Sequence, residues 1–269
     1  MTLADARFGG SIPQLYDRLL VPMIFQPYAD DLAARVAGVV QHRPARVLEI
    51  AAGTGVVTRA LAQRLPASGA IVATDLNQAM LDQAIATGAA RPVEWRQADA
   101  MRLPFSDAAF DVVACQFGAM FFPDKAAAYT EARRVLRPGG HFIFNVWDRI
   151  EDNDFAAVVT DALAQAFPLD PPRFLARTPH GYHDPAVIAD DLARAGFTAH
   201  VCTTLAARSR APTPDVPAIA FCQGTPLRNE IAASRLDDAT AIAAAAIAQR
   251  FGTGPVDGKI QALVITATG

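Results

Sequence analysis

The run Val47-Leu48-Glu49-Ile50-Ala51-Ala52-Gly53-Thr54-Gly55-Val56-Val57-Thr58 constrains the fold more than any other stretch of this chain. Val47, Leu48 and Ile50 are apolar and two of them are β-branched, which suits a buried strand. Pro44 precedes the strand and Arg46 marks its solvent end. Gly53 and Gly55 carry no Cβ, so the backbone can turn tightly there and come close to a ligand. Thr54 and Thr58 stand where they cap or line a helix start, and the helical period continues through Leu61. Open N–H groups at such a start attract negative charge, so a small anionic or zwitterionic ligand is expected against this turn. A nicotinamide-binding turn would read Gly-x-Gly-x-x-Gly, and its third position here is the larger Thr58.

Strand and helix patterns alternate beyond this turn. Residues 70–75 read as a second strand ending in Asp75, 20 residues after Gly55. An acid there can accept from both hydroxyls of a ribose; alternatively, Asp75 or Asn77 caps the helix that carries Met80 and Leu81. Residues 92–96 read as a third strand and 110–115 as a fourth, apolar on both faces as parallel strands are. Residues 125–136 form an amphipathic helix stopped by Pro138-Gly139-Gly140, and 141–147 are a fifth strand. Ligands in open parallel sheets lie outside the carboxyl ends of the strands, which points to Gln116 and Phe117 after the fourth.

Length and composition exclude several classes. The 269 residues suit one large domain or a domain with an added lobe, and 52% hydrophobic residues can build a sizeable core. The net charge of −3 has no block of like charges, against a general nucleic-acid binder. Cys115, Cys202 and Cys222 lack metal or disulfide spacing, which fits a reducing cytoplasm. Residues 1–5 show no signal-peptide pattern, and the alanine-rich run at 241–248 is too short to span a bilayer. The five histidines show no metal-binding helix motif, and His42, His141 and His200 read as structural.

Several ordered motifs together resemble the class I S-adenosylmethionine-dependent methyltransferases. They are Glu49-x-x-x-Gly53-x-Gly55, the strand end at Asp75, Asp99-Ala100, the run Leu103-Pro104-Phe105-Ser106-Asp107-Ala108-Ala109-Phe110-Asp111, and Arg134-Val135-Leu136-Arg137-Pro138-Gly139-Gly140. The likeness covers residues 45–147 closely and loosens beyond them. A Phe121-Phe122-Pro123-Asp124 run after the fourth strand is similar to the small-molecule and quinone-biosynthesis branch. The resemblance implies a seven-stranded, Rossmann-like, doubly wound α/β sheet, mostly parallel with an antiparallel last strand, plus an N-terminal helical lid and helical insertions. It implies S-adenosylmethionine as cofactor and S-adenosylhomocysteine as product. The glycine turn, with Glu49, Ala51, Gly53, Thr54 and Gly55, would hold the cofactor's methionine part, covered by Tyr16. Asp75, with Leu76 and Met80, would take the ribose, and Asp99, Ala100 and Met101 the adenine. Gln116 and Phe117 would face the cofactor, and Met120, Phe121 and Phe122 the acceptor. Outside these motifs, Tyr182 in the cluster His180-Gly181-Tyr182-His183 is a further acceptor-side candidate, or else packs into the protein.

The remaining segments organise around that expectation. Residues 1–43 form an N-terminal helical cap, broken by Pro22 and Pro27, with a helix starting at Asp30-Asp31. Residues 44–269 form the methyltransferase domain, with insertions at about 150–180 and 209–251 on the acceptor side. Helices are expected at 154–167, 185–195, 219–234 and 237–251, a proline-rich loop at 168–179, and strands at 197–206 and 258–268. In-line methyl transfer is mainly a positioning task, with no metal implied, and an acidic acceptor needs a base. His180 and His183, on a loop before the helix capped by Asp184, are the candidates. The expected activity is methylation at oxygen, carbon or nitrogen of a small molecule, with no nucleic-acid partner and no membrane span. An NAD(P)-dependent oxidoreductase and a non-catalytic S-adenosylmethionine-binding protein are the alternatives.

Overall fold

The computed structural model describes residues 8–41 and 43–269. The reading of His42 as structural and of residues 1–5 as free of a signal pattern lies outside the described residues. Seven strands form one sheet in the order β3-β2-β1-β4-β5-β7-β6. They are β1 Arg46–Ile50, β2 Ala70–Asp75, β3 Glu94–Gln97, β4 Phe110–Gln116, β5 Leu136–Trp147, β6 Ala199–Ala211 and β7 Val256–Thr268. β1 pairs in parallel with β2 and β4, setting Leu48 opposite Val72 on one side and Val113 on the other. β7 is antiparallel to both neighbours, β5 and β6. The strand order reverses between β1 and β4, so their carboxyl ends open a crevice where such sheets bind ligands.

Helices α3 Val56–Arg64, α4 Gln78–Thr87 and α5 Lys125–Val135 follow β1, β2 and β4, and α8 Pro185–Arg194 precedes β6. The strands they cover are buried because parallel strands are sheathed on both faces. Helix α5 ends one residue before the expected boundary, and the Arg137–Gly140 stretch joins β5 instead of lying outside it. The register shift between Phe110 and Val112 absorbs that extra backbone.

The N-terminal segment departs from expectation. Pro22 and Pro27 do not break it: α1 Ile12–Leu15 runs into a π-helical stretch, Tyr16–Phe25, and then α2 Gln26–Val40. The wider π winding accommodates Pro22, and the N–H of Gln26 reaches back to Val21 O. Pro27 sits in the first turn of α2, where a missing N–H costs nothing. The C-terminal half differs in detail. The loop at 168–179 contains α7 Phe174–Arg177, started where Glu230 accepts from the N–H groups of Arg173 and Phe174. The helix expected over 219–234 is α9 Asp215–Gln223 followed by two 3-10 turns, because Gly224 and Pro226 interrupt it. Helices α6 Asp154–Ala166 and α10 Leu236–Phe251 fall close to their expected spans and pack beside α9. Among the described residues no helix is long and apolar enough to cross a membrane.

Candidate functional site

A cleft with a mostly apolar lining and a few fixed polar groups opens at the carboxyl ends of β1, β2 and β4. Asp75, the last residue of β2, anchors it. One carboxylate oxygen accepts from Gly53 N–H at 2.8 Å and the other from Asn77 N–H at 2.8 Å. Each oxygen keeps acceptor capacity toward the cleft. Burial raises the Asp75 carboxyl's pKa, and those two N–H groups oppose the rise. Neither Asp75 nor Asn77 makes a side-chain cap bond to α4, which removes the capping alternative. A Cβ on Gly53, at φ +56°, would meet only the Met80 methyl at 3.5 Å, so its open side faces the cleft. Leu76, Met80, Ala100, Met101, Gln116 and Phe117 line the same space. Asp99 joins them, its side chain held by Met101 N–H at 2.9 Å.

Two non-glycine residues in this wall take left-handed backbone: Ala51 at φ +53° and Phe117 at φ +50°. Such residues cost about 1–3 kcal/mol each and persist where surroundings impose them. Phe117 N–H donates to the buried Asn145 side chain at 3.0 Å, and its ring stacks on Trp147 at 3.8 Å. Gly118 explains the fit of both turns, since a Cβ there would strike the Ala51 Cβ at 2.4 Å.

Three expected contact residues lie behind the cleft wall. Gly55, at φ +81°, is required by packing: a Cβ would meet Trp95 at 2.9 Å and Ala84 at 3.2 Å. Thr54 is buried with an unpartnered hydroxyl, and Thr58 does not cap α3. Glu49 accepts from the Thr58 hydroxyl at 2.5 Å, tying the strand end to the first turn of α3. Burial pushes the Glu49 carboxyl up to about 8, against the pull of Thr58 and Arg59, so it is protonated at neutral pH.

An apolar chamber adjoins the cleft, and Phe8, Tyr16, Phe117 and Phe121 line both. Leu20, Ile24 and Phe25 of the π-helical stretch form one wall. Asn153, Phe155, Phe174, Leu175 and His180 form a second, and Phe221 and Thr225 a third. Of the expected acceptor residues, Met120 lines the chamber and Phe122 lines the cleft. Tyr182 lines neither, a correction to its expected place: its hydroxyl donates to Asp191 at 2.9 Å and takes the Tyr129 hydroxyl at 3.3 Å. That pairing turns the ring into the protein.

The two candidate bases separate. His180 lines the chamber, with Nδ1 2.8 Å from the Asp148 carbonyl. A carbonyl only accepts, so Nδ1 carries the proton and Nε2 keeps a lone pair. Burial lowers the His180 imidazole to about 4; the Asp148 carbonyl opposes this, His183 adds to it, and Glu151 and the Asp148 carboxylate oppose it. His183 lies outside the chamber, and its Nδ1 donates to the His180 carbonyl at 2.7 Å. Tyr16 and His180 are the titratable side chains among the described chamber residues. Burial, Asp75 and Asp17 hold the Tyr16 phenol above its ordinary range, so it stays a donor, and Nε2 of His180 is the unprotonated titratable atom among the described chamber residues. Sequence reasoning missed Trp147, Asn153 and Phe174. Trp147 had a signal, standing at the carboxyl end of a strand; the other two had none.

Residues 48–144 match the family described as Methyltransferase domain. The chain is 38% identical over 162 residues to the demethylmenaquinone methyltransferase of Mycolicibacterium paratuberculosis, covering 56% of this chain and 67% of that protein. It is 35% identical over 166 residues to the ubiquinone/menaquinone biosynthesis C-methyltransferase UbiE of Ectopseudomonas mendocina, covering 56% and 64%. The matched part thus spans about two thirds of the length of these relatives. In fold the chain is similar to a crystal structure of a methyltransferase from Bacillus halodurans C-125, with TM-score 0.55, 19% identity, and coverage of 88% of this chain and 97% of that one.

Proposed function

Because the chain belongs to the quinone-biosynthesis branch of the class I S-adenosylmethionine-dependent methyltransferases, we propose that its acceptor is a flat, apolar aromatic compound bearing a hydroxyl, of the quinol type, bound in the chamber. The observation that carries this reading is the shared wall: a cleft with fixed carboxylates adjoins an apolar chamber in which His180 Nε2 is the lone-pair base among the described residues. The cleft suits the cofactor, since Gly53 leaves room for close approach and Asp75 offers acceptor capacity to a ribose. Ala100 and Asp99 take the adenine, and Tyr16 covers the methionine end. When bound, S-adenosylmethionine supplies a methyl carbon on a cationic sulfur that leaves with the bonding pair as a neutral thioether.

The chain's own work is positioning, exclusion of water and removal of one proton. The acceptor's nucleophilic pair forms the new bond to carbon. An acceptor atom that has gained a methyl group is strongly acidic, so a base as weak as His180 suffices. The proton passes to Nε2, giving an imidazolium that later releases it to solvent. The N-terminal helices and the segments at about 150–180 and 209–251 act as the acceptor-side elements of one domain. Their apolar walls favour a small molecule over nucleic acid, and three free cysteines fit work in the cytoplasm. A screen of phenols, quinols and small hydroxy or amino compounds with labelled S-adenosylmethionine tests the reading. Transfer to a quinol-type acceptor supports it, and transfer only to charged amines contradicts it.

A further inference from the structure

Asp148 follows β5 and holds His180 through its backbone, so whatever fixes that carbonyl fixes the imidazole. Asp148 N–H donates to Gln261 O at 3.1 Å, carrying the pairing of β5 and β7 one residue past Trp147. The Gln261 amide donates to the Asp148 carboxylate at 2.8 Å. Asn153 closes the arrangement. Its Nδ2 donates to Arg149 O at 3.0 Å, and at longer range to Gln261 O at 3.3 Å and Asp148 O at 3.4 Å. Its Oδ1 takes Gln261 N–H at 3.0 Å. Asn153 lines the chamber and is almost wholly buried, yet both ends of its amide are spent on this loop. It therefore has little left to offer an acceptor.

We infer that Asn153 and Gln261 are positioning residues that clamp the Asp148 carbonyl onto His180 Nδ1, so that the ring keeps a single tautomer with its lone pair on Nε2 toward the chamber. A polar side chain in an apolar wall reads at first as a substrate contact; here its partners are all backbone groups of one turn and one strand. Without the clamp the 148–153 turn is held at fewer points. The carbonyl can then drift from the ring, and either nitrogen can carry the proton. The outcome is a base that is present but wrongly protonated for part of the time.

This inference rests on His180 as the base, and the two can fail separately. Histidine-labelled full-length protein, near pH 7 and without acceptor, is examined by nitrogen NMR, with the His180 signals assigned by their loss in His180→Gln. Wild type is expected to show protonated Nδ1 and bare Nε2 only. Asn153→Ala and Gln261→Met are expected to show mixed tautomers, with turnover lowered by about tenfold or more and S-adenosylhomocysteine affinity unchanged. Gln261 is half-buried and keeps its backbone bonds in the methionine variant, so that variant decides the matter if Asn153→Ala does not fold. A mixed population in either folded variant supports the clamp. A single Nδ1-protonated tautomer in every folded variant overturns it. Full turnover in His180→Ala defeats the base instead, whatever the tautomer result.

Discussion

The cleft and the chamber share a wall but are built in opposite ways. The cleft takes its polar groups from strand ends close together in the chain: Gly53 after β1, Asp75 at the end of β2, Asp99 after β3 and Gln116 at the end of β4. Each must present a particular atom at a particular place, so residue type is constrained. The chamber draws apolar side chains from residues 8 to 260, and any side chain of suitable bulk serves at most of those positions. The difference teaches that polar groups drawn from neighbouring strand ends leave spaced motifs in a sequence, whereas an apolar site assembled from distant segments leaves almost none.

The largest expected effect falls on the chamber side. His180→Ala should lower turnover by about 10² or more while affinity for S-adenosylhomocysteine stays near wild type, because His180 lies outside the cleft. Steady-state kinetics and calorimetry on one preparation check both halves of the statement, and a parallel loss of cofactor affinity would blur the division. On the cleft side, Asp75→Ala should weaken S-adenosylhomocysteine by about tenfold or more, since hydrogen bonds to a charged group contribute roughly 1.5–3 kcal/mol. Calorimetry reads the loss, and unchanged binding sinks the ribose assignment. Asp99 is half-exposed, so Asp99→Ala should cost less, at the lower end of the same range. It should hardly alter binding of an analogue lacking the exocyclic amino group, and equal losses for both ligands would make Asp99 structural.

The smallest effect is on stability, and the two regions should differ in sign. Glu49, raised to about 8, contributes stability that is fully present below its ordinary range near 4.5 and lost as pH rises through 8. His180, lowered to about 4, contributes stability present above its ordinary 6.5 and lost as pH falls from there toward 4. Glu49→Gln should therefore remove the downward slope that Glu49 adds to a Tm-against-pH curve between about 4.5 and 8 and leave the part below 4.5 alone. Each kcal/mol corresponds to about 2–4 °C. A variant curve parallel to wild type from pH 5 to 8 would show that Glu49 is ionised in the fold.

The same division explains what the sequence could tell. The strand ending at Asp75 and the Gly53 turn were legible because parallel strands are continuously apolar and end in the residues that meet ligands. Gly55 was legible as a glycine but not in its purpose, because Trp95, the side chain that would strike a Cβ there, comes from a strand 40 residues away. The π-helical stretch was illegible: Pro22 reads as a breaker, and only packing against the sheet shows that a wider turn absorbs it. Tyr182 looked like a pocket residue from its place between two histidines. Asp191, nine residues on, turns it away through a bond that no local spacing announces.

The central claim is that the methyl donor occupies the cleft and leaves the chamber to the acceptor, and a crystal structure of the S-adenosylhomocysteine complex tests it most directly. The account predicts the adenosine between Asp75 and Asp99 and the amino-acid end between Gly53 and Tyr16. The chamber beside His180 should stay free of that ligand. Density for S-adenosylhomocysteine within the chamber, against Phe174 and His180, would contradict it.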